Sequence, residues 1–484
     1  MARDHAQEYV KGQALQVPIL AGIFTDEAGD FRSSYPRNMV PVPKEQGISQ
    51  GYLRPGDGIL QSGAGPGVDR GAINWRGICY RVMGNDLVRV DADGTVTTLG
   101  AVSGTGQVSF TYSFDRLAVA AGGNLYYWNG ALSQVTDPDL GTVLDVVWIG
   151  GYFMTTDGTS LVVTELTDPT SVNPLKFGSS EDDPDPIVAV RKWRGEIYAV
   201  NRYTIEVFDN VGGNFFPFQR NEGAIIERGA IGTHCVVAGF MQEIAFLGGA
   251  RNEPPAVWLG LNASTDKLST REIDQILQQY TEAQLSQAVM EQRVDKNHEL
   301  LYLHLPDRTL VYDANASKAV GEPVWYTLDS GLVSPATYRA RNLVWCYDQW
   351  LCGDPTSVNV GSLTNTASTH YGQTIGWDFQ TTIVYNESNG AIFHQLELVC
   401  LTGRVPLGAD PIVWTSFSVD GETFSQERPV PAGKQGERSK RLIWLKQGSM
   451  ENWRIQRFRS TSDAFLSAAR LEIQIEPLAG IGPL

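Results

Sequence analysis

Apolar and polar residues alternate through the stretch NHELLYLHLPDRTLVYDANAS, residues 297–317, in a way that predicts a β-hairpin. The run LLYLHL consists mostly of residues that favour strands, and it stops at Pro306-Asp307, a pair typical of turns. TLVYD leaves that turn as a second strand. The pattern therefore predicts two antiparallel strands joined by a tight turn.

The same hairpin pattern recurs six or seven times along the chain. Each unit starts with glycine or a polar residue, continues as a short apolar strand, turns, and ends in a strand rich in Val, Tyr or Phe. The units cover residues 77–94, 115–130, 151–166, 195–210, 242–260, 298–314 and 342–361. Further strands are predicted before several of them, at residues 108–113, 143–149, 187–193 and 234–240. Because the spacing of about 35 to 55 residues suits four-stranded blades, we predict a β-propeller of six or seven blades, with a long array of β-sandwiches as the alternative.

One segment, residues 268–293, has a helical pattern instead. Ser269 stands three residues before Glu272, and Thr281 stands three residues before Gln284. Both pairs match the capping box, in which the two side chains bond the backbone of the first helical turn. We therefore predict two short helices as a small insertion in the propeller, packed against its side.

The two ends of the chain differ from the repeats. Residues 371–484 contain turn-punctuated strands without the hairpin rhythm, which predicts a C-terminal β-sandwich. Residues 1–76 are rich in proline and glycine and predict an N-terminal arm that includes a propeller-closing strand. The predicted division is arm 1–76, propeller 77–370 and sandwich 371–484, an all-β fold.

Composition and charge agree with this class and narrow the function. The chain has 484 residues, with 50 glycines and 24 prolines, a balance that favours short strands joined by turns. Its formal charge of −16 argues against a protein whose main task is to grip nucleic-acid phosphates. The first residues carry no apolar signal core, so we expect a protein that is soluble and cytoplasmic at synthesis, without membrane insertion. Five scattered cysteines predict neither a disulfide framework nor a zinc site.

Two motifs invite a chemical interpretation. His298, Glu299 and His304 resemble a metal-binding set, but on a strand the two histidines lie roughly 20 Å apart, too far to share one ion. FSVDGETF, residues 417–424, approaches the Asp box of sialidase-type propellers, yet Asp-Gly also makes a good hairpin turn. We predict no metal, no cofactor and no catalytic residue. A propeller glycosidase or sialidase, or a carbohydrate-binding adhesin, is the alternative function.

The charge map has one strongly basic segment in the C-terminal region. Only Glu437 and Glu451 interrupt its cations, which are Arg428, Lys434, Arg438, Lys440, Arg441, Lys446, Arg454, Arg457 and Arg459. Such a segment predicts contact with an acidic partner ring or with DNA phosphates. An ordinary solvated face is the competing interpretation.

Three blocks of sequence resemble a known family. They are YPRNMVPVPKEQGISQGYLRPGDGI (residues 35–59), RGAINWRGICYRVMGNDLVRV (residues 70–90), and QYT followed by AVMEQRVDKNHELLYLHLPDRTLVYDANAS (residues 279–281 and 288–317). These blocks are similar to the packaged-DNA stabilisation proteins of short-tailed bacteriophages (podoviruses), also called tail accessory factors, tail hub or nozzle-like proteins. The resemblance is weak in the C-terminal third.

The resemblance implies a virion structural protein and not an enzyme. Members of that family form a homo-oligomeric ring, a hexamer, below the portal ring or a head-to-tail adaptor. Such a ring extends the DNA channel, closes the filled head with a tail needle, retains packaged DNA and anchors tailspikes or tail fibres. The expected location is the virion tail, with the host cytoplasm during assembly, and double-stranded DNA is expected to pass with weak contact.

Overall fold

The computed structural model describes residues 12–25, 29–44, 51–180, 182–213, 215–386 and 389–478. The described chain divides into two compact units. The first combines residues up to Gly58 with Ala316–Pro335 and the chain from Asn365 onward, and the second combines Ile59–Asn315 with Ala336–Thr364. Each unit is built mostly from antiparallel strands.

The first five strands belong to the first unit. They are β1 (Gln13–Val17), β2 (Gly22–Thr25), β3 (Phe31–Ser34), β4 (Met39–Pro43) and β5 (Gly51–Pro55). All five come from the predicted N-terminal arm. Residues 1–11 and 45–50 of that predicted arm lie outside the described residues.

The second unit holds seven sheets, which we number as blades 1 to 7. Blade 1 consists of β7 (Asp69–Trp75), β8 (Ile78–Met83), β9 (Asp86–Val90) and β10 (Val96–Ala101), blade 2 of β11 (Ser109–Tyr112), β12 (Leu117–Ala121), β13 (Asn124–Trp128) and β14 (Leu132–Gln134), and blade 3 of β15 (Asp145–Ile149), β16 (Tyr152–Thr156), β17 (Ser160–Thr164) and β18 (Val172–Ser179). Blade 4 consists of β19 (Ile187–Trp193), β20 (Glu196–Asn201), β21 (Ile205–Asn210) and β22 (Phe218–Arg220), and blade 5 of β23 (Gly229–Ala230), β24 (Val236–Phe240), β25 (Glu243–Gly249), β26 (Ala256–Leu261) and β27 (Ser264–Lys267). Blade 6 contains β28 (Val289–Asp295), β29 (His298–His304) and β30 (Thr309–Asp313), and blade 7 contains β32 (Arg341–Cys346), β33 (Gln349–Gly353) and β34 (Asn359–Thr364) with β6 (Gly58–Ala64).

The blades form a closed ring. The innermost strands β7, β11, β15, β19, β24, β28 and β32 each contact the next, and β32 contacts β7. Blade 7 is completed by β6, an early strand that pairs with β34 from near residue 360. The pairing of β6 with β34 therefore closes the ring through residues that are far apart in sequence. The predicted β-propeller is confirmed, and it has seven blades. The position of β6 lies within the region for which a closing strand was predicted.

Short turns set the geometry of the blades. Trp75 pairs with Ile78, and Trp193 pairs with Glu196, so two-residue Arg-Gly loops join the strands. Both loop residues have positive φ, at 56° and 78° for Arg76 and Gly77. This is the type I′ turn, whose twist matches that of the flanking strands, and glycine suits its second position because it has no Cβ.

Apolar side chains fill the spaces between consecutive blades. Val82 of blade 1 is packed in one cluster with Leu117 and Val119 of blade 2, and all three are fully buried. Burial of one such side chain contributes about 1.5–3 kcal/mol. The alternation of apolar residues that predicted the strands therefore also holds neighbouring blades together.

Helices are few and short: a 3-10 helix (Pro138–Leu140), α1 (Arg271–Leu277), α2 (Glu282–Leu285) and α3 (Ala314–Val320). Thr281 caps α2 with the predicted capping box, whereas α1 begins after Thr270 and not after Ser269. The predicted helical insertion also ends too late, because residues from Val289 onward form β28, the innermost strand of blade 6. No helix in the described ranges has the length and apolar character to span a bilayer.

The remaining strands of the first unit are β31 (Trp325–Leu328), β35 (Gly376–Gln380), β36 (Val384–Tyr385), β37 (Ala391–Leu401), β38 (Ile412–Ser418), β39 (Arg428–Pro431), β40 (Leu442–Leu445), β41 (Ser449–Met450), β42 (Trp453–Thr461) and β43 (Ser467–Pro477). One sheet has the order β4-β5-β43-β37-β40, with β1 beside β43 and β41 beside β37. The other has the order β35-β42-β38-β39, with β36 beside β42. One buried apolar cluster, which includes Leu396, Phe379 and Phe458, draws residues from both sheets. The predicted C-terminal β-sandwich is confirmed.

Candidate functional site

The basic segment predicted as a contact site lies in the β-sandwich. Arg428 begins β39, Arg441 precedes β40, and three members lie on β42. Lys434, Arg438 and Lys440 lie between β39 and β40, in what we call the basic loop, residues 432–441. The sequence neighbours thus fall on several elements of the sandwich.

The basic loop is exposed and held in a defined shape. The Thr402 hydroxyl donates to the backbone oxygens of Glu437 and Lys440, at 2.9 and 3.3 Å. The Glu437 carboxylate accepts a hydrogen bond from the Lys434 backbone N–H at 2.9 Å. The Lys434 ammonium lies 3.9 Å from Asp410, while the side chains of Arg438 and Lys440 form no ion pair within the described chain. The loop therefore presents free positive charge on a fixed backbone.

Three other cations of the segment pair with carboxylates of the same sandwich. Arg441 makes a two-pronged contact with Glu397, and Arg459 makes one with Glu427. Arg457 lies 2.9 Å from Asp378. Partly exposed pairs of this kind contribute little to stability, about 0–1 kcal/mol each. They do, however, remove most of the free charge from these positions.

Arg454 does not lie on the surface, which corrects its place among the predicted contact residues. Its side chain is fully buried, with the guanidinium 4.2 Å from the ring centre of Phe393 and 3.7 Å from that of Phe417. It donates to the Gln447 carbonyl at 2.7 Å and to the Gln456 side chain. Burial lowers the pKa of Arg454, and repulsion from Arg428 lowers it further. Because its side chain is enclosed between these rings, Arg454 cannot reach a partner.

Arg428 is exposed and donates to the Lys446 carbonyl at 2.5 Å. With Arg454 buried, the exposed members that remain available are Arg428 and the three cations of the basic loop. Contact by these residues stays a prediction.

Polar side chains on the inner strands of the propeller join its blades. Asp69 pairs with Arg81 at 2.7 Å, and both side chains are fully buried. Both residues also bond Asn342 of blade 7. The Arg81 guanidinium donates to the Asn342 backbone oxygen at 2.9 Å, and the Asn342 side-chain amide donates to the Asp69 carboxylate. Asp145 of blade 3 accepts the Val190 N–H of blade 4 at 2.9 Å. These groups are occupied in holding blades together and are not free for chemistry.

The two histidines of the strand that first suggested metal binding lie at opposite ends of β29, as predicted. His298 Nδ1 contacts Asp313, while His304 bonds Glu291 at 2.6 Å and Thr309 at 2.9 Å. Burial lowers the pKa of His304, so its ring stays neutral near neutral pH. Within the described ranges, no group of three or more His, Cys, Asp or Glu side chains is arranged to hold a metal.

The sequence that approaches an Asp box forms a turn. Asp420 accepts hydrogen bonds from the Thr423 hydroxyl, from the Thr423 N–H at 2.8 Å and from the Ser418 hydroxyl at 2.8 Å, and these bonds lower its pKa. β38 and β39 on either side of the turn pair antiparallel, which agrees with the predicted hairpin. Asp420 is therefore engaged in local backbone bonds.

Aromatic residues in the first turn of several blades were missed by the sequence interpretation. Trp75, Phe114, Trp148, Trp193 and Trp345 each lie at the turn between the first and second strands of a blade. The signal is visible as NWRG, SFDR, VWIGG, KWRG and VWCYD in the sequence. It escaped notice because four of the five repeat units were delimited from one to three residues after these aromatics.

Comparison with known proteins covers nearly the whole chain. The family model described as "Bacteriophage P22 Gp10, beta-propeller" matches residues 15–368, and the model described as "Bacteriophage P22 Gp10, beta-sandwich" matches residues 376–476. The tail hub protein gp10 of Salmonella phage P22 is 29% identical over 455 residues, which cover 90% of this chain and 93% of that protein.

Solved propellers show a weaker likeness. The computationally designed Ika8 protein is 13% identical with a TM-score of 0.34, over 63% of this chain and 99% of that chain. The WD40 domain of Pan2 from Neurospora crassa is 10% identical with a TM-score of 0.40, over 63% of this chain and 95% of that chain. Scores this low carry no argument, and the assignment depends on the family match. Because that match spans both the propeller and the β-sandwich, the chain belongs to the bacteriophage P22 Gp10 family.

Proposed function

We propose that the chain is a structural protein of a phage tail, which forms a ring of six copies below the portal ring or a head-to-tail adaptor. The observation that carries this proposal is the similarity to a tail hub protein across 90% of the chain, through both domains. The ring extends the DNA channel, closes the filled head and retains the packaged DNA. It is assembled in the host cytoplasm, becomes part of the virion tail, and is not an enzyme.

The charge of the protein suits a channel through which DNA must pass. A chain with a formal charge of −16 repels phosphate at most of its surface, so DNA can slide by with weak contact. A strongly cationic wall would instead hold the DNA by releasing its counterions. We therefore assign the weak contact with double-stranded DNA to the acidic excess of the ring.

The exposed cations of the sandwich are proposed as a contact with another tail component. Arg428, Lys434, Arg438 and Lys440 are exposed, and they have no close carboxylate partner within the described chain apart from Asp410 at 3.9 Å. Candidate partners are the portal or adaptor, the tail needle, and tailspikes or fibres. We also propose the division into an arm, a propeller and a sandwich with the second boundary near residue 370. The first boundary, predicted near residue 76, lies near residue 58, because β6 and β7 belong to propeller blades.

Removal of the chain tests the function. Heads filled in its absence are expected to lose their DNA and to lack the ring, and supplying the chain in trans should restore both. DNA retention is measured as nuclease-resistant DNA per head. Heads that keep their DNA and mature into infectious particles without the chain would refute the proposal.

Neutralising the cations of the basic loop tests whether the loop contacts another tail component, without disturbing the fold. The triple substitution Lys434→Gln, Arg438→Gln and Lys440→Gln should leave thermal stability unchanged and reduce the incorporation of the next tail component by at least tenfold. Lys318→Gln, an exposed lysine outside the loop, is the matched control. Normal incorporation by the triple variant would remove the loop from the proposed contact.

A further inference from the structure

The first turns of the seven blades share one face of the propeller. In an antiparallel sheet, the turn between the first and second strands lies at the opposite end from the turn between the second and third. Since the innermost strands contact each other around the ring, the seven first turns meet at one end. We call this end the first-turn face.

Direct contacts show that these turns are neighbours. Arg76 of blade 1 donates to the Phe114 carbonyl of blade 2, and the Phe114 ring lies edge-on to Trp148 of blade 3, with centroids 5.2 Å apart. Lys192 of blade 4 donates to the Trp148 carbonyl at 3.3 Å. The Trp193 indole donates to the Gln242 carbonyl of blade 5 at 3.2 Å. The turns are thus bonded into a preformed surface, which reduces the entropy lost when a partner binds.

Large aromatic rings are exposed on this face. The Phe114 side chain is 83% exposed and Trp345 is 49% exposed, although rings of this size normally find cover. Phe114 projects from a turn, and Trp345 lies one residue before the end of β32. Aromatic residues in such positions are typical of protein interfaces, where they provide much of the binding energy.

Unpaired cations from blades 1 and 4 lie over the rings of blades 1, 3 and 4. Arg76 lies 4.7 Å from the Trp75 ring centre, Lys192 lies 5.2 Å from that of Trp148, and Arg194 lies 6.0 Å from that of Trp193. None of the three cations forms an ion pair with the described residues. We call these residues, together with Phe114, the aromatic-cation sector.

Two carboxylates beside this sector are already engaged, and a third, Glu243, interacts with Arg194 without an ion pair. Asp115 pairs with Arg116 at 2.7 Å, and Glu196 accepts the Tyr198 hydroxyl at 3.0 Å. Trp75 is buried, Trp148 and Trp193 are half-buried, and Phe114 is exposed. Free cations beside the exposed Phe114 ring therefore favour a partner that presents carboxylates.

The opposite face of the propeller has a different chemistry. The turns between second and third strands contain small or polar residues in blades 1 to 3, namely Gly84-Asn85, Gly122-Gly123 and Asp157-Gly158. Blade 4 has Arg202 and Tyr203 in this turn, but Arg202 is paired with Glu282 at 2.9 Å. Both sets of turns have to close the same kind of hairpin. The aromatic residues of the first-turn face are therefore not a requirement of turn formation.

We propose that the aromatic-cation sector docks on an acidic surface of a second copy of this chain. The charge balance supports this partner, because the chain has 54 acidic and 38 basic residues, so the surface of a neighbouring copy carries an excess of carboxylates. A contact between two different surfaces of identical chains repeats around an axis and closes a ring. The inference rests on the proposed function, since it assigns the surface by which the copies of the ring meet.

A photo-crosslinking amino acid at Phe114 tests the partner directly. With p-benzoylphenylalanine at this position in assembled tails, irradiation should yield an adduct of twice the mass of the chain, linked to a peptide rich in Asp and Glu. The same probe at Asn85, which is exposed on the opposite face, is the control and should give at least tenfold less of that adduct. If the probe at Phe114 blocks incorporation, the probe at Arg76 examines the same sector.

An adduct with a different tail protein, or no adduct from an incorporated chain, would overturn the proposal. Charge reversal provides an independent measurement. Lys192→Glu should lower the yield of complete rings at least fivefold, while Lys318→Glu should not. Normal rings from Lys192→Glu would reject the docking surface alone, whereas tails without any ring of the unmodified chain would reject the proposed function.

Discussion

The propeller and the β-sandwich each bury an arginine completely, but they stabilise its charge in different ways. Arg81 of the propeller forms an ion pair with buried Asp69 and reaches Asn342 in blade 7. Arg454 of the sandwich has no carboxylate partner among the described residues and lies between the rings of Phe393 on β37 and Phe417 on β38, which belong to different sheets. The first arginine joins the ends of a ring, and the second fills the space between two layers.

This difference reflects what each architecture needs. A propeller must fix the position of its first blade against its last, and directional bonds from Asp69 and Arg81 to Asn342 do this. A sandwich needs contact between two sheets, which the flat guanidinium provides by stacking on aromatic rings. A buried ion pair is costly to desolvate and is therefore weak evidence for net stability, but the loss of one partner is severe.

The largest expected effect comes from breaking the propeller pair. Asp69→Ala leaves the Arg81 charge buried without its counterion and should lower the free energy of unfolding by about 3–5 kcal/mol. The double variant Asp69→Leu with Arg81→Met removes both charges and should recover most of this loss. Urea unfolding followed by tryptophan fluorescence measures both. A single variant as stable as the unmodified chain would show that the pair does not hold the ring closed.

Substitutions of Arg454 should change stability mainly through the shape of the new side chain and less through the loss of its charge. Arg454→Ala opens a cavity between two rings and leaves the Gln447 carbonyl without its donor, at a cost of about 2–4 kcal/mol. Arg454→Met keeps an unbranched chain between the rings and should cost about 1 kcal/mol or less. Lys440→Ala, on the exposed loop of the same segment, is the control and should be neutral. Equal losses for the Ala and Met variants would contradict stacking as the main role.

A smaller loss of stability is expected when the pH is lowered, and it should arise from histidines in the propeller. Burial lowers the pKa of His234 from 6.5 to about 4, and it lowers the pKa of buried His304 as well. Between these values the unfolded chain binds a proton that the folded chain does not, so stability is complete above pH 6.5 and falls as the pH drops toward 4. The shift at His234 should cost roughly 2 kcal/mol between pH 7.5 and pH 5, and His304 should add a loss in the same direction.

Thermal unfolding at the two pH values measures this loss. The variant His234→Asn should show a smaller decrease in melting temperature on acidification than the unmodified chain. An identical decrease would show that His234 is not the group that titrates.

Much of the fold could be predicted because its signals are local. The hairpin units and the capping box at Thr281 depend on residues a few positions apart, and the structure contains both. The closing strand β6 could not be assigned to blade 7 from pattern alone, since its partner β34 lies almost 300 residues away. The residues of strand β28 were predicted as helix because AVMEQR is compatible with either a helix or a strand. Their pairing within the propeller determines that they form a strand.

The candidate site was harder to predict, although part of the signal was present. In WRIQRFR, strand alternation puts Arg454 on the same face as Gln456 and Phe458, and this periodicity already marks it as inward-facing. Arg457 and Arg459 fall on the other face, as the structure shows. Their partners are Asp378 on β35 and Glu427 just before β39, both far away along the chain, so the pairing could not be predicted from local sequence.

Electron cryomicroscopy of assembled tails tests the central claim most directly. The account predicts six copies of this chain in one ring around the DNA axis, immediately below the portal or its adaptor, with the first-turn face of each propeller covered by the next copy. A chain found as a single copy, or at the periphery of the tail and away from the DNA axis, would contradict the account.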